Sequence, residues 1–229
     1  MEVFNFIFQE SPKITKIFIL SSIAISVSTW FEIITPYSLY LNYSLVFKNF
    51  QILRIITNFL YYGDFSVSFV IQMLIFFRTS KLLEKNVFHG SAPDYLFFLL
   101  FCMISLLIFE TFVKINFLSQ SLGFAMTYYW GRKSKTTNVE FMGVLTFRAP
   151  YYPWFYLVIS FLLNSGFKED FYGLTIGHVY YFLKDIVPRI KNMGGLQLVR
   201  TPKFIVKLCD KCNINNDYII DTEDGDLLF

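Results

Sequence analysis

The run YLFFLLFCMISLLIFETFV, from Tyr95 to Val113, is apolar almost throughout. A lone helix needs about 20 consecutive apolar residues to cross the hydrocarbon core of a bilayer. The run therefore predicts a membrane-spanning helix. The composition of the whole chain agrees, because 55% of its 229 residues are hydrophobic and only 16% are charged, whereas soluble domains usually carry about 25% charged residues.

Other apolar stretches predict further spans, although several are short or interrupted by polar residues. Five of them run over 17–34, 65–77, 117–130, 151–163 and 171–187. Short polar spans are stable in a membrane only when neighbouring helices shield them. We therefore predict an all-α membrane protein with six transmembrane helices packed in a compact bundle.

The positive charges support this topology. If the N-terminus is cytosolic, sixteen of the twenty Lys and Arg residues fall on the cytosolic side and four on the other side. Cytosolic loops of membrane proteins carry such an excess. The predicted organisation is a cytosolic segment over 1–16, a membrane domain over 17–187 and a cytosolic tail over 188–229, whose acidic end is predicted to be disordered.

The predicted loop after the first span, 35–63, is long and amphipathic. Its stretch QILRIITNFLYYG interleaves apolar side chains such as Leu53 with polar ones, including Gln51, Arg54 and Asn58. Such a segment is expected to lie in the membrane interface rather than to span it. Arg54 either reaches the lipid headgroups or anchors the loop to the bundle.

The stretch GLTIGHVYYFLKDIVP in the last span contains Gly173 and Gly177, four residues apart. Glycines at this spacing share one helix face and let a second backbone approach closely. We expect the partner to be a neighbouring helix of the same chain. His178 follows directly, and a histidine within a span is expected to face the protein interior or a wet cavity.

Protease chemistry is one alternative, because a serine nucleophile needs a histidine close enough to take its proton. The fourth span offers Ser119 and Ser121, and the sixth offers His178. A rhomboid protease has G-x-S-G in its fourth span, but here Ser119 stands two residues before Ser121 and Leu122 follows it. The rhomboid histidine also precedes the glycines of the sixth span, so no catalytic residue is assigned.

No cofactor, metal or nucleic-acid partner is expected. Cys209 and Cys212 have C-x-x-C spacing, but no second pair and no nearby histidine completes a set of four zinc ligands.

Three stretches together resemble the derlins, the Der1-like rhomboid pseudoproteases, nearest to the Derlin-2 and Derlin-3 type. They are LVFKNFQILRIITNFLYYG, FMGVLTFRAPYYPW and GLTIGHVYYFLKDIVP, and GGLQLVRTPKF continues the likeness after the last span. The resemblance covers roughly 36–210, and it is carried by the ordered set rather than by one motif.

The resemblance implies the rhomboid fold without its catalytic dyad, and a non-enzymatic role in endoplasmic-reticulum-associated degradation. Derlins help to move misfolded proteins from the endoplasmic reticulum to the cytosol, with a ubiquitin-ligase complex and a p97-type ATPase. The implied location is the endoplasmic reticulum membrane, with a related plastid-surrounding membrane as the alternative. The oligomeric state is left open between a homo- and a hetero-oligomer.

The family's motifs match in part. The Trp-Arg pair of the first lumenal loop falls on Leu53 and Arg54, so the arginine matches and the tryptophan does not. The glycine pair of the sixth span matches at Gly173 and Gly177. The tail ends in DTEDGDLLF instead of the family's glycine-rich motif, so direct recruitment of the ATPase is not implied, and a partner such as the ligase would supply it.

We expect a substrate groove that opens sideways into the membrane and local thinning of the bilayer by short spans. The candidate groove residues are polar and lie in the fourth and sixth spans: Ser119, Gln120, Ser121, Thr175 and His178. The second alternative is a non-catalytic scaffold, which would tolerate apolar replacements of Gln120 or His178 but would fail without the tail.

Overall fold

The computed structural model describes residues 11–115, 117–141, 145–162, 166–190, 199–212 and 214. Within these residues the chain is mostly helical. The helices are α1 (Lys13–Trp30), α2 (Pro36–Leu39), α3 (Tyr43–Lys48), α4 (Leu53–Leu60), α5 (Val67–Leu82), α6 (Ala92–Val113), α7 (Ser119–Lys133), α8 (Tyr152–Leu162), α9 (Phe167–Tyr181) and α10 (Lys203–Lys211). One π-helical turn, Leu83–Val87, extends α5, and another, Phe182–Ile186, extends α9.

The all-α prediction needs one correction, because a small antiparallel hairpin separates α7 from α8. It consists of β1 (Asn138–Phe141) and β2 (Leu145–Arg148), with Asn138 opposite Arg148. Both strands contain β-branched or aromatic residues, which favour strands. A 3₁₀ turn, Ala149–Tyr151, joins the hairpin to α8.

Each of the six predicted spans coincides with one long helix: α1, α5, α6, α7, α8 or α9. Among the described residues, α1 and α6 are the two helices that are long and apolar enough to cross a membrane. The other four are shorter or more polar, so the six-span topology stays a prediction. The predicted interfacial loop contains the three short helices α2, α3 and α4.

The centre of the molecule is α7, which is buried along most of its length. Neighbouring helices pack around it, and aromatic side chains fill the space between them. The ring centroids of Phe98 and Tyr129 are 5.0 Å apart, and those of Phe98 and Tyr180 are 4.7 Å apart in an edge-to-face arrangement. Such pairs add about 0.5–1.5 kcal/mol each beyond the burial of their area.

A buried polar network joins α1 to α5 and α6. The hydroxyl and the backbone N–H of Thr15 both donate to the carboxylate of Glu84, at 2.7 and 3.2 Å. The hydroxyl of Ser80 lies 2.7 Å from that of Thr15 and 2.5 Å from that of Tyr95. Because buried polar groups are costly unless they are hydrogen-bonded, this network fixes where the first helix docks.

The tail contains a helix that was not predicted, α10, which packs against α6. Ile205 and Cys209 face the bundle and are buried, and the Thr201 hydroxyl donates to the Asp94 carboxylate. Burial raises the pKa of the Cys209 thiol, whereas Cys212 is exposed. The acidic end of the tail and the segment 1–10 lie outside the described residues.

Candidate functional site

Gly173 and Gly177 pack against α7 of the same chain, which is the close approach that their spacing predicts. A Cβ atom on Gly177 would lie 2.7 Å from the backbone oxygen of Ala125. A Cβ atom on Gly173 would collide with the backbone oxygen of Ser121 and with the Cβ atom of Phe124. The two backbones therefore touch at positions where any larger residue would force them apart.

The two candidate serines make structural hydrogen bonds. The Ser119 hydroxyl donates to the backbone oxygen of Tyr61 at 2.6 Å, and the Ser121 hydroxyl donates to that of Glu169 at 2.8 Å. Both side chains are buried, with 3% and 0% of their area exposed. They fasten α7 to the end of the first loop and to the beginning of α9.

His178 is exposed, so it does not lie in the protein interior, which was one of the two places predicted for it. The other, a wet cavity, stays a prediction. The Nδ1 atom of His178 lies 2.6 Å from the Tyr128 hydroxyl on α7. A hydrogen bond to a neighbouring helix satisfies the ring without burying it. Thr175 is half-buried, and its hydroxyl donates to the Phe171 backbone oxygen of its own helix at 2.8 Å.

The hydrogen bonds of the candidate serines and of His178 test whether a protease dyad is present. A nucleophile and its base are recognised by the hydrogen bond between them, but the partners of Ser121 and His178 are Glu169 and Tyr128. The second histidine, His89, is exposed in the loop after α5. Within the described ranges, the hydrogen bonds therefore do not assemble a serine–histidine dyad.

A cavity opens between α5, α7, α8 and α9, and it has an apolar and a polar part. The apolar part measures about 50 Å³, and the adjoining polar part about 330 Å³. Both parts are lined by Tyr62, Gln72 and Gln120. Of the candidate groove residues, Gln120 lines both parts and Ser119 lines the polar part, whereas Ser121, Thr175 and His178 do not contribute to the lining of either part. Their role in a substrate groove stays a prediction.

Asp170 connects three of the helices that surround this cavity. Its carboxylate accepts a hydrogen bond from the Gln120 amide at 2.8 Å and another from the Ser160 hydroxyl. The side chain has no exposed area. The site thus contains a buried carboxylate that the sequence interpretation missed, although an acidic residue at the edge of an apolar span is a recognisable signal.

Tyr62 was also missed, and no sequence signal distinguishes it from the other tyrosines. Its hydroxyl is buried at the cavity and has no hydrogen-bond partner among the described residues. Buried hydroxyl groups are usually hydrogen-bonded. The cavity therefore offers an unused donor beside the amide of Gln120, in surroundings that are otherwise rich in Phe and Tyr side chains.

Arg54 holds the first loop together. Its Nε atom donates to the Gln51 side chain at 2.6 Å, and Nη1 donates to the backbone oxygens of Tyr37 and Tyr40 at 2.9 and 3.2 Å. Asn58 is fully buried and accepts a hydrogen bond from the backbone N–H of Leu118 at 2.6 Å. Arg54 therefore holds the loop to itself, and Asn58 ties the loop to the beginning of α7. The two alternatives for Arg54, an anchor to the bundle and a contact with lipid headgroups, stay predictions.

The same loop exposes a large apolar surface. Leu53 is 75% exposed, and other apolar side chains of the loop are more than half exposed: Tyr37, Phe47, Phe50, Ile52 and Ile56. Monomeric soluble proteins rarely expose so many large apolar side chains in one segment, whereas interfacial membrane segments do.

Among the described residues, no group of three or more His, Cys, Asp and Glu side chains is arranged to hold a metal ion.

Comparison with known proteins places the chain in a family. The Der1-like family matches residues 11–203. A probable derlin-2 homolog of Dictyostelium discoideum is 36% identical over 210 residues, which cover 89% of this chain and 82% of the relative. Derlin-2.1 of Zea mays is 38% identical over 218 residues, covering 90% and 86%. Derlin-1 of Arabidopsis thaliana is 33% identical over 205 residues, covering 89% and 76%. The chain therefore belongs to the Der1-like family, the derlins.

Proposed function

We propose that this derlin is a non-enzymatic component of endoplasmic-reticulum-associated degradation that assists the export of misfolded proteins to the cytosol. It acts in the endoplasmic reticulum membrane as a six-span protein with both termini in the cytosol. Its substrates are misfolded chains, and it works with a ubiquitin-ligase complex and a p97-type ATPase. Membership of the family supports the general role, and the cavity described above supports the mechanism.

The cavity is the observation that carries the proposal. An unfolded chain crosses hydrocarbon at high cost because its backbone N–H and C=O groups need hydrogen-bond partners. A groove that combines aromatic walls with the Tyr62 hydroxyl and the amides of Gln72 and Gln120 offers such partners. Substrate segments enter this groove sideways from the bilayer, between α5 and α8.

Local thinning of the bilayer also lowers the cost of moving a substrate through the membrane. The described part of α8, Tyr152–Leu162, spans about 17 Å at 1.5 Å per residue, whereas the hydrocarbon core is about 30 Å thick. Lipids adapt to short hydrophobic segments by thinning around them. Lengthening α5 or α9 with leucines, with the fold preserved, is expected to slow export. Unchanged export would remove thinning from the mechanism.

The direct test is a pulse-chase of a misfolded, glycosylated lumenal substrate with the proteasome inhibited, before and after depletion of this protein. We expect full-length, deglycosylated substrate in the cytosol, and its loss on depletion. A clipped fragment that depends on the protein would instead identify a protease. If depletion changes neither species, the export function is wrong.

A matched pair of variants separates the groove from a scaffold role. Gln72→Leu removes a polar group shared by both parts of the cavity, whereas Leu74→Ala alters the same helix on its exposed face. In depleted cells, Gln72→Leu is expected to restore export several-fold less well than Leu74→Ala at equal protein level. A scaffold that only holds partners would tolerate both changes.

A further inference from the structure

A second pocket, of about 360 Å³, lies at the end of α7 beside the hairpin, away from the proposed groove. Its lining combines three cations, one proline and two aromatic rings: Arg132, Lys135, Arg148, Pro150, Tyr151 and Trp154. We propose that this pocket binds the phosphate group of an anionic phospholipid, with the acyl chains of that lipid lying along α8.

The fold brings the cations together from separate parts of the chain. Gly131 near the end of α7 lets the backbone of Ala149 approach, because a Cβ atom there would lie 2.7 Å from the Ala149 oxygen. The Ala149 N–H donates to the Thr137 oxygen at 2.9 Å and closes the base of the hairpin. Arg148 at the end of β2 is thereby held beside the end of α7, where Arg132 lies.

The positive charge of the pocket is not neutralised within the described part of the chain. The neighbouring Lys133 pairs with Asp185 at 2.9 Å, but the three cations of the pocket have no such carboxylate partner. The buried Nε atom of Arg132 has no hydrogen-bond partner there either. An anion with several acceptor oxygens would pair with the exposed cations Lys135 and Arg148 and relieve the repulsion between the cations.

Helix stability alone accounts for only one of the three cations. A basic residue in the last turn of α7 is favoured by the helix dipole, which applies to Arg132. The guanidinium of Arg132 also lies 5.0 Å from the centre of the Tyr181 ring. Lys135 and Arg148 lie outside the helix and are exposed, so the dipole of α7 does not account for their position at the pocket.

The surroundings of the pocket fit a lipid. Tyr151 and Trp154 are 65% and 49% exposed, and these two residue types concentrate where a membrane meets water. Val158 and Phe161 continue an exposed apolar stripe along α8 from Trp154. A phosphate in the basic pocket and acyl chains on this stripe would match both ends of one phospholipid. Basic pockets on the cytosolic side of membrane proteins bind anionic headgroups in this way.

The test uses the purified full-length protein and native mass spectrometry. Phosphatidic acid is titrated as the anionic probe, and phosphatidylcholine with the same chains is the neutral probe. The variant is Lys135→Gln with Arg148→Gln, which leaves the stacked Arg132 in place. The control is Arg189→Gln with Lys207→Gln, which removes the same charge from exposed sites elsewhere. Unchanged melting temperatures check that each variant is folded.

We expect one phosphatidic acid to bind tightly and the pocket variant to weaken its binding about 30-fold, because each cation near an anionic lipid contributes about 1 kcal/mol. The control variant is expected to change it by less than about threefold. Equal losses in the two variants would overturn the proposal, because they would indicate attraction by net charge alone. Equal binding of the neutral lipid would also overturn it.

Competition with inorganic phosphate and glycerol phosphate identifies the source of the phosphate. The proposal expects neither to displace the lipid at millimolar concentration, because both lack the chains that lie along α8. If either binds as tightly as phosphatidic acid, the pocket is a site for a soluble phosphate, and its assignment to a lipid is wrong.

Discussion

The backbone of Gly177 lies directly against that of Ala125, so closely that a single methyl group on Gly177 would stand 2.7 Å from the Ala125 oxygen. Together with Gly173, this contact sets the distance between α7 and α9. Those two helices carry most of the polar side chains around the proposed groove. The shape of the groove thus depends on two residues that have no side chains.

Replacing Gly177 with alanine is expected to lower the free energy of unfolding by about 1–3 kcal/mol, as overpacking of a well-packed interior does. The control is Gly123→Ala in α7, where the new methyl group would meet only the Phe76 side chain at 3.7 Å and the Tyr62 hydroxyl at 3.9 Å. Thermal unfolding in detergent measures both variants. Equal stability of the two would contradict the close backbone contact.

Asp170 is expected to stabilise the bundle through its two acceptor oxygens. Asp170→Ala leaves the part-buried amide of Gln120 and the buried hydroxyl of Ser160 without their partner, and a buried unsatisfied group costs about 1–3 kcal/mol. Asp170→Asn keeps the shape and one acceptor, so its loss should be smaller. Thermal unfolding measures the stability of both variants. An alanine variant that is at least as stable as the asparagine variant would contradict the stabilising role of these hydrogen bonds.

Arg54 is expected to keep the first loop ordered through the fork of its guanidinium group. Arg54→Lys retains the charge but cannot reproduce donors at both Nε and Nη1. Backbone amides over 35–42 should then exchange with solvent about tenfold faster, since a hydrogen bond to a charged group contributes about 1.5 kcal/mol. Lys48→Ala, which removes a cation from α3 in the same loop, is the control. If the amide exchange rates are unchanged in the Arg54 variant, the alternative in which Arg54 contacts lipid headgroups is favoured.

Ser121→Ala is expected to leave substrate export intact. The variant loses the hydrogen bond to Glu169, at a cost of about 1 kcal/mol, but no base among the described residues is hydrogen-bonded to this hydroxyl. His178→Ala should likewise leave export intact. A pulse-chase in cells that express each variant measures this. If wild-type cells produce a cleaved substrate fragment and either substitution abolishes it, the protein is a protease.

The sequence predicted the helices better than their surroundings. Apolar runs located all six long helices, because length and composition are local properties. The hairpin between α7 and α8 was missed because its strands are only four residues each, which is too short for a clear alternating pattern. The burial of α10 against α6 depends on a tertiary contact between distant segments, which no local pattern records.

In the candidate site, too, local sequence patterns did not predict the contacts between distant segments. The spacing of Gly173 and Gly177 predicted a close helix contact, and the structure identifies α7 as the partner. The direction in which a polar side chain points could not be read from its span, so Ser121 and His178 were grouped with Gln120 although they face elsewhere. Tyr62 and Asp170 belong to the cavity because of how the helices cross, and Asp170 also fell one residue outside the predicted sixth span.

Among the three cysteines, Cys102 and Cys209 are buried and Cys212 is exposed. The wild-type chain therefore carries a single thiol that a bulky maleimide can reach, at the end of α10. A reagent that cannot cross membranes would label this thiol in vesicles of one orientation and not in the other. The natural sequence thus contains its own reporter for the side of the membrane on which the tail lies, without engineered cysteines or fused tags.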